Sequence, residues 1–355
     1  MKNLLKSKNL LIILGALIFA IITPLITNNY SMGVMNLVII YFIAALGLTI
    51  LIGMAGQVSF AVVAFLGFGS YSYAILTINF SLPPVLAIVL ATALTSIFGY
   101  ILGMILFRLK GTYFTFATIG FVQIMANIYL NWEPVTGGPN GITGIPNLTI
   151  AGIGPKTPIQ WFYLLMVIGV IVLFLVENIR KTSLGRALAA VRDNEIAAKS
   201  LGVDVFKTKV IAFAIAAALA GLAGALLAPH NKAISAYLYT YDLTINYIIM
   251  VMLGGVNSTV GTFVGSFLVT MLPETLRVLN EYMRLIYGVT IILLMIFMPM
   301  GLAGGLKSLK IMLSKRQIKK TLEPEIVKLE PEIAKSEPEI IKLENEISTL
   351  QKEAD

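Results

Sequence analysis

The chain has 355 residues, of which 57% are hydrophobic and only 12% charged, with a formal net charge of +8. That apolar excess is more than a water-soluble globule can cover with polar surface, so the composition excludes a soluble enzyme and places the chain in a bilayer. Cysteine is absent, which removes disulfides and thiolate metal sites, and the positive charge is the Lys/Arg bias of one membrane face, with no nucleic acid implied.

Lys2, Lys6 and Lys8 precede a first apolar run, 10–27, which reads as an uncleaved span because no A-x-A-like cleavage site follows it. From Asn9 to Phe107 there is no Asp, Glu, Lys, Arg or His. A span takes about 20 apolar residues at a rise of about 1.5 Å each, so this stretch holds the runs 10–27, 33–52, 59–79 and 85–107. The breaks fall at Asn28-Asn29, Gly53 to Gly56 and Pro83-Pro84, residues suited to turns. Gln57 and Ser59 follow the second break, where polar groups at a glycine-broken helix start can face a cavity.

After Arg108 and Lys110 comes the run 112–131, then a loop, 131–159, with six glycines and five prolines, whose shape is expected from turns and not regular structure. Thr136, Gly137, Gly138, Asn140 and Gly141 in this loop are candidates for gating a pathway or docking a soluble partner. The run 160–177 leads into a charged loop, 178–209, whose middle has helix-forming composition, with Gly185 and Gly202 expected as stops. The run 210–229 ends beside Pro229 and His230, the sole histidine, which reads as an interfacial polar residue. The run 244–273 is interrupted by Gly254-Gly255-Val256-Asn257-Ser258 and is expected to form two short helices or a re-entrant pair; Asn257 and Ser258 there echo Gln57 and Ser59 as pathway candidates. A last run covers 285–301.

The basic residues give the orientation. Both termini, Arg108-Lys110 and the 178–209 loop belong inside, while 131–159 belongs outside. The fold class is therefore an all-α polytopic membrane protein with about ten segments, arranged as two inverted halves. The expected domains are a transmembrane domain, 1–306, and a cytoplasmic heptad-repeat tail, 307–355. From Leu322 the tail repeats LEPEIVK, LEPEIAK, SEPEIIK, but Pro324, Pro331 and Pro338 each cost a helix about 3 kcal/mol, so a flexible appendage is expected.

No ionisable group falls mid-span, which argues against proton coupling and against a membrane enzyme, while sodium held by carbonyls and hydroxyls stays open. The chain has no Gly-Lys dipeptide and so no phosphate-binding G-x-x-x-x-G-K-[ST] loop. Energy for active transport must then enter through a partner. The alternative is a stand-alone channel or a sodium-coupled carrier.

Within the inner loop, Glu195-Ile196-Ala197-Ala198-x-x-x-Gly202 resembles the EAA-x-x-x-G signature of ABC importer permeases. The longer string 183–226, together with GQVSFAVVAFLGFGSYSYAIL (56–76), NWEPVTGGPNGITGIPNL (131–148), the 247–277 segment and MPMGLAGG (298–305), is similar to the M-type permeases of branched-chain amino acid importers. The resemblance covers roughly 30–305, and the chain runs about 50 residues past the last motif. It implies no catalytic residue, metal or cofactor in this chain, with ATP and magnesium held by partners. Those partners would be two cytoplasmic ATP-binding subunits, a homologous second permease and an extracytoplasmic solute-binding protein in the cell membrane. It further implies that Arg192, Asp193, Asn194, Glu195, Ala198 and Gly202 form the contact with the ATP-binding subunit, the small residues by close packing and the charges by pairing. The solute would be a branched-chain amino acid or a related amide.

Overall fold

The computed structural model describes residues 18–109, 111–149 and 154–276, with Gly15 and a few positions between 282 and 292. All belong to one compact unit, Met1–Ala303. In chain order the helices are α1 (Asn29–Leu48), α2 (Val62–Ile78), α3 (Pro84–Leu106), α4 (Thr112–Asn131), α5 (Pro158–Lys181), α6 (Ser183–Asp193), α7 (Glu195–Ser200), α8 (Val205–Asn231), α9 (Tyr241–Gly254) and α10 (Thr259–Leu276). Six helices among the described residues are long and apolar enough to cross a membrane: α1 with the turn that extends it, α3, α4, α5, α8 and α10. Residues 18–26 are helical too, but the rest of the expected first span lies outside the described residues, as do most of 285–301 and the whole of 298–305 and the tail.

Several boundaries differ from those expected, each for a local reason. The second run does not stop at Gly53, because the chain widens into a π-helical turn, Thr49–Met54, whose bonds reach one residue further back, such as Ala55 N to Ile50 O at 3.0 Å. The expected run 160–177 begins at Pro158, where Thr157 and Gln160 form a reciprocal capping box. The run 210–229 starts at Val205 because the Asp204 carboxylate accepts from Lys207 N at 3.0 Å. The run 244–273 divides into α9 and α10, since Gly255 turns the chain with φ +98°.

Helices in lipid gain little from apolar burial against one another, so close backbone approach and interhelical hydrogen bonds must hold them. α8 supplies both. Its run of Ala and Gly packs against α1, α2 and α3, and Gly224 and Gly221 sit where a Cβ would overlap Leu66 O and Thr95. Ser70 Oγ donates across the contact to Gly224 O at 2.9 Å. α9 and α10 form a second close pair, with Gly254 against the Gly261 backbone and Gly265 against the Met250 carbonyl. Thr49 and Thr262 hydroxyls meet at 2.8 Å and join this pair to α1. The outer faces are apolar as lipid requires: Val89, Ile97, Ile101 and Ile105 on α3, and Val167, Ile171 and Leu175 on α5.

The bundle has two distinct ends. At one, Asn36 Nδ2 donates to Pro158 O at 3.0 Å and Tyr73 Oη to Pro146 O at 3.3 Å, over a two-residue antiparallel pairing of β1 (Ile142–Thr143) with β2 (Ala233–Ile234). The other end carries α6 and α7, with the side chains from Glu177 to Lys209 that hold most of the described charge. Replacing Gly224 by Leu is expected to separate α8 from α2 at a cost of about 1–3 kcal/mol or more, seen as a lower melting temperature in detergent. Gly33→Ala, which meets nothing within 4 Å, should leave that temperature unchanged.

Candidate functional site

The inner-loop segment folds as two helices where one was expected. Thr182 caps α6, and Asn194 then leaves the helix with φ −161°, its Oδ1 accepting from Ile196 N and Ala197 N, both at 3.0 Å, to start α7. Asn prefers this capping role to a helix interior, which is why composition alone missed the break. Gly185 is not a stop; it lies inside α6, where a Cβ would overlap the Ile179 and Arg180 carbonyls. Gly202 does end α7, in the left-handed region with φ +83°, donating to Lys199 O at 3.0 Å. Open space surrounds its Cα, so within the chain Gly202 serves backbone geometry and packs against nothing.

Of the other candidates, Ala198 is buried against the bundle and Glu195 pairs with Lys209 Nζ. Between them, Ile196 and Leu201 stand 80% and 82% exposed, a pair of bare aliphatic side chains on a charged surface. Neither was among the contact residues expected from the sequence, although Leu201 belongs to the apolar set of that segment and Ile196 lies inside the EAA motif.

Arg192 points inward. Its Nη1 donates to Gly53 O at 2.8 Å and to Asn257 Oδ1 at 3.0 Å, while Nε and Nη2 hold Asp193 Oδ1 at 3.1 and 2.9 Å. Gly56, at φ +68°, lies beneath its side chain, where a Cβ would press on Arg192 Cγ. Arg180 approaches from α5, with Nη1 donating to Asn257 O at 2.9 Å and lying 3.5 Å from Glu177, which in turn accepts from Thr259 Oγ1 at the start of α10. The two glycine breaks, 53–57 and 255–258, are thereby joined to each other and to α6. A π turn and a chain reversal free backbone carbonyls, and the guanidinium groups satisfy them by charge-assisted bonds.

The four pathway candidates share this region without lining one cavity. Asn257 is exposed and held by both arginines, Gln57 is half-buried beside Gly56, and Ser258 Oγ accepts from Gly261 N at 3.0 Å. Ser59 is buried, accepts from Ala61 N at 3.3 Å and borders a void of about 10 Å³ with Leu48, Leu51, Phe65 and Phe213. Sequence patterning found Gln57, Ser59, Asn257 and Ser258 but missed Glu177, Arg180 and Thr259, whose partners come from distant segments.

At the opposite end, Thr136 is buried and donates to Tyr129 O at 2.8 Å while accepting from Gly138 N at 3.2 Å. Gly137, Gly138 and Gly141 all have positive φ, and a Cβ at Gly141 would overlap Ile234 O. The loop thus contains regular structure after all: the β1–β2 pairing pins it to the segment after α8, because glycine allows the strands to close. Asn140 is exposed. Beneath lie stacked Tyr71 and Tyr129, 4.8 Å apart, with Tyr239 against both. Among the described residues no group of three or more His, Asp and Glu is placed to hold a metal ion.

A family model described as "Branched-chain amino acid transport system / permease component" matches residues 30–295. The chain is 30% identical over 318 residues to the high-affinity branched-chain amino acid transport system permease protein LivM of Salmonella typhimurium, covering 83% of this chain and 75% of that protein. The same identity and coverage hold for LivM of Escherichia coli. It is also 28% identical over 298 residues to the ribose import permease protein RbsC of Bacillus subtilis, covering 79% of this chain and 89% of the relative. No solved structure matches.

Arg192→Gln should leave the Gly53 carbonyl without its charged donor, at a cost of about 1–3 kcal/mol. Hydrogen exchange at amides 55–57 and 192–198 should then quicken at least several-fold, with Arg192→Lys intermediate; unchanged protection would show that the contact does not hold the breaks.

Proposed function

Because the chain belongs to the family of branched-chain amino acid transport system permease components, we propose that it is the membrane-spanning subunit of an ATP-driven importer. In this reading ATP and magnesium are bound by two cytoplasmic subunits. A homologous permease completes the channel, and an extracytoplasmic binding protein delivers the solute. The solute class is branched-chain amino acids or related amides, supported by the names of the relatives at 30% identity. The full topology is ten segments in two inverted halves with both termini cytoplasmic. The positive-inside count and the paired breaks at 53–57 and 255–258 support it.

The observation that carries the mechanism is the link between α6–α7 and the two breaks. Ile196 of α7 and Leu201 at its C-terminal cap are the knobs that enter the ATP-binding subunit, with Asn194, Glu195 and Gly202 fixing the shape of the helix that presents them. Exposed aliphatic side chains inside a charged surround match the apolar centre and polar rim of a protein interface. A shift of α6 moves Arg192, which holds Gly53 and Asn257 together, so both breaks move as one. Gln57 and Asn257 flank the inner mouth of the pathway. The loop carrying Thr136, Gly137, Gly138, Asn140 and Gly141 gates the outer mouth or receives the binding protein.

In the assembled complex, Ile196→Asp with Leu201→Asp is expected to reduce co-purification of the ATP-binding subunit tenfold or more while this chain still inserts in the membrane. Lipid-facing Ile97→Ala should change nothing. Full retention of the ATP-binding subunit by the double variant would remove α7 as the docking element.

A further inference from the structure

The exposed face of α4 differs from those of α3 and α5. Along it lie Tyr113, Phe116, Gly120, Gln123, Asn127 and Asn131, spaced three or four residues apart and so on one side of the helix, all exposed. Three of them are amides, and Gln123 lies about 12 Å along the axis from Asn131, well inside the span and away from its mouth. An amide facing hydrocarbon without a partner costs about 4–8 kcal/mol; that cost falls in full on Gln123 and in part on Asn127 and Asn131, so this face is unsuited to lipid in a way that the Val and Ile faces of α3 and α5 are not. With Ile124, Ile128 and Trp132 it forms one side of an open space of about 790 Å³, a face lined among the described residues by this helix and its C-cap alone, so that any opposite wall comes from another element or subunit.

The amides are also oriented. Asn127 Nδ2 donates to Gln123 O at 2.8 Å and Asn131 Nδ2 to Asn127 O at 2.9 Å, which ties each side chain to its own helix and leaves its Oδ1 able to accept. The Gln123 side chain makes no bond among the described residues and keeps both donor and acceptor. We propose that this face of α4 lines the solute pathway, with Gln123, Asn127 and Asn131 taking over the hydration of the solute's polar end as it passes. Uncharged acceptors one turn apart suit an ammonium group, the Gln123 amide can donate to a carboxylate, and Ile124, Ile128 and Trp132 offer an apolar wall to an aliphatic side chain. This face therefore favours a neutral zwitterion with an apolar side chain over a charged amino acid, a statement that rests on the importer reading above.

The test uses the full complex in proteoliposomes and single cysteines introduced into this cysteine-free chain. Gln123→Cys and Asn127→Cys are expected to react with a charged, membrane-impermeant thiol reagent in at least one nucleotide state, ten times faster or more than Ile101→Cys on the lipid face of α3. Leucine should slow the reaction, and Gln123→Leu with Asn127→Leu should cut leucine uptake tenfold or more. If positions 123 and 127 are as unreactive as 101 in every state while the unsubstituted complex drives leucine uptake with ATP, the pathway assignment is wrong and the importer reading stands. If the unsubstituted complex shows no ATP-driven uptake, the importer reading itself is lost.

Discussion

The arrangement depends on one guanidinium group. Arg192 is the point where a helix outside the bundle holds two interruptions inside it, through the carbonyl of Gly53 and the side chain of Asn257. Backbone polar groups released where a span is broken must find partners in protein or water, and a fixed protein donor holds the break in one shape. Here that satisfaction comes from α6, with Arg180 and Glu177 repeating the arrangement for α5 and α10. The breaks are therefore not passive weak points, and their stability is tied to the position of the loop that a partner would move.

The rest of the bundle is built so that such movement need not unpack it. α8 meets α2 and α9 meets α10 by backbone contact across glycines, contacts with little side-chain interdigitation to unlock. Two hydroxyl hydrogen bonds, from Ser70 to the Gly224 carbonyl and between Thr49 and Thr262, add direction to those contacts. At the opposite end the β1–β2 pairing and buried Thr136 fix the long loop to the segment after α8, so that end is closed by hydrogen bonds and the charged end by ion pairs.

Much of this was legible in the sequence because apolar length is a strong signal and lipid leaves few alternatives to helix. The helices, the division of 244–273 at Gly255 and the grouping of residues 192–202 could be read without coordinates. The π turn at Thr49–Met54 could not, since no residue type demands it and Gly53 looks like a stop until Arg192 is seen to hold its carbonyl. The inward direction of Arg192 was likewise hidden, because a charged residue in a charged loop gives no sign of which partner it takes. The polar stripe of α4 was passed over in the run 112–131, because Gln123, Asn127 and Asn131 draw together only when their neighbours prove to be buried and their own face bare. Gly202 ends α7 as its residue type suggested, and its positive φ gives this motif glycine a backbone role that the motif alone does not reveal.

The central claim is that Arg192 transmits work from the inner helices to the breaks. Its most direct test is the number of solute molecules moved per ATP hydrolysed by the reconstituted complex carrying Arg192→Met. The account predicts that the ATP-binding subunits still bind and hydrolyse ATP, since Ile196 and Leu201 are intact, while solute moved per ATP falls at least tenfold. An unchanged ratio would contradict it.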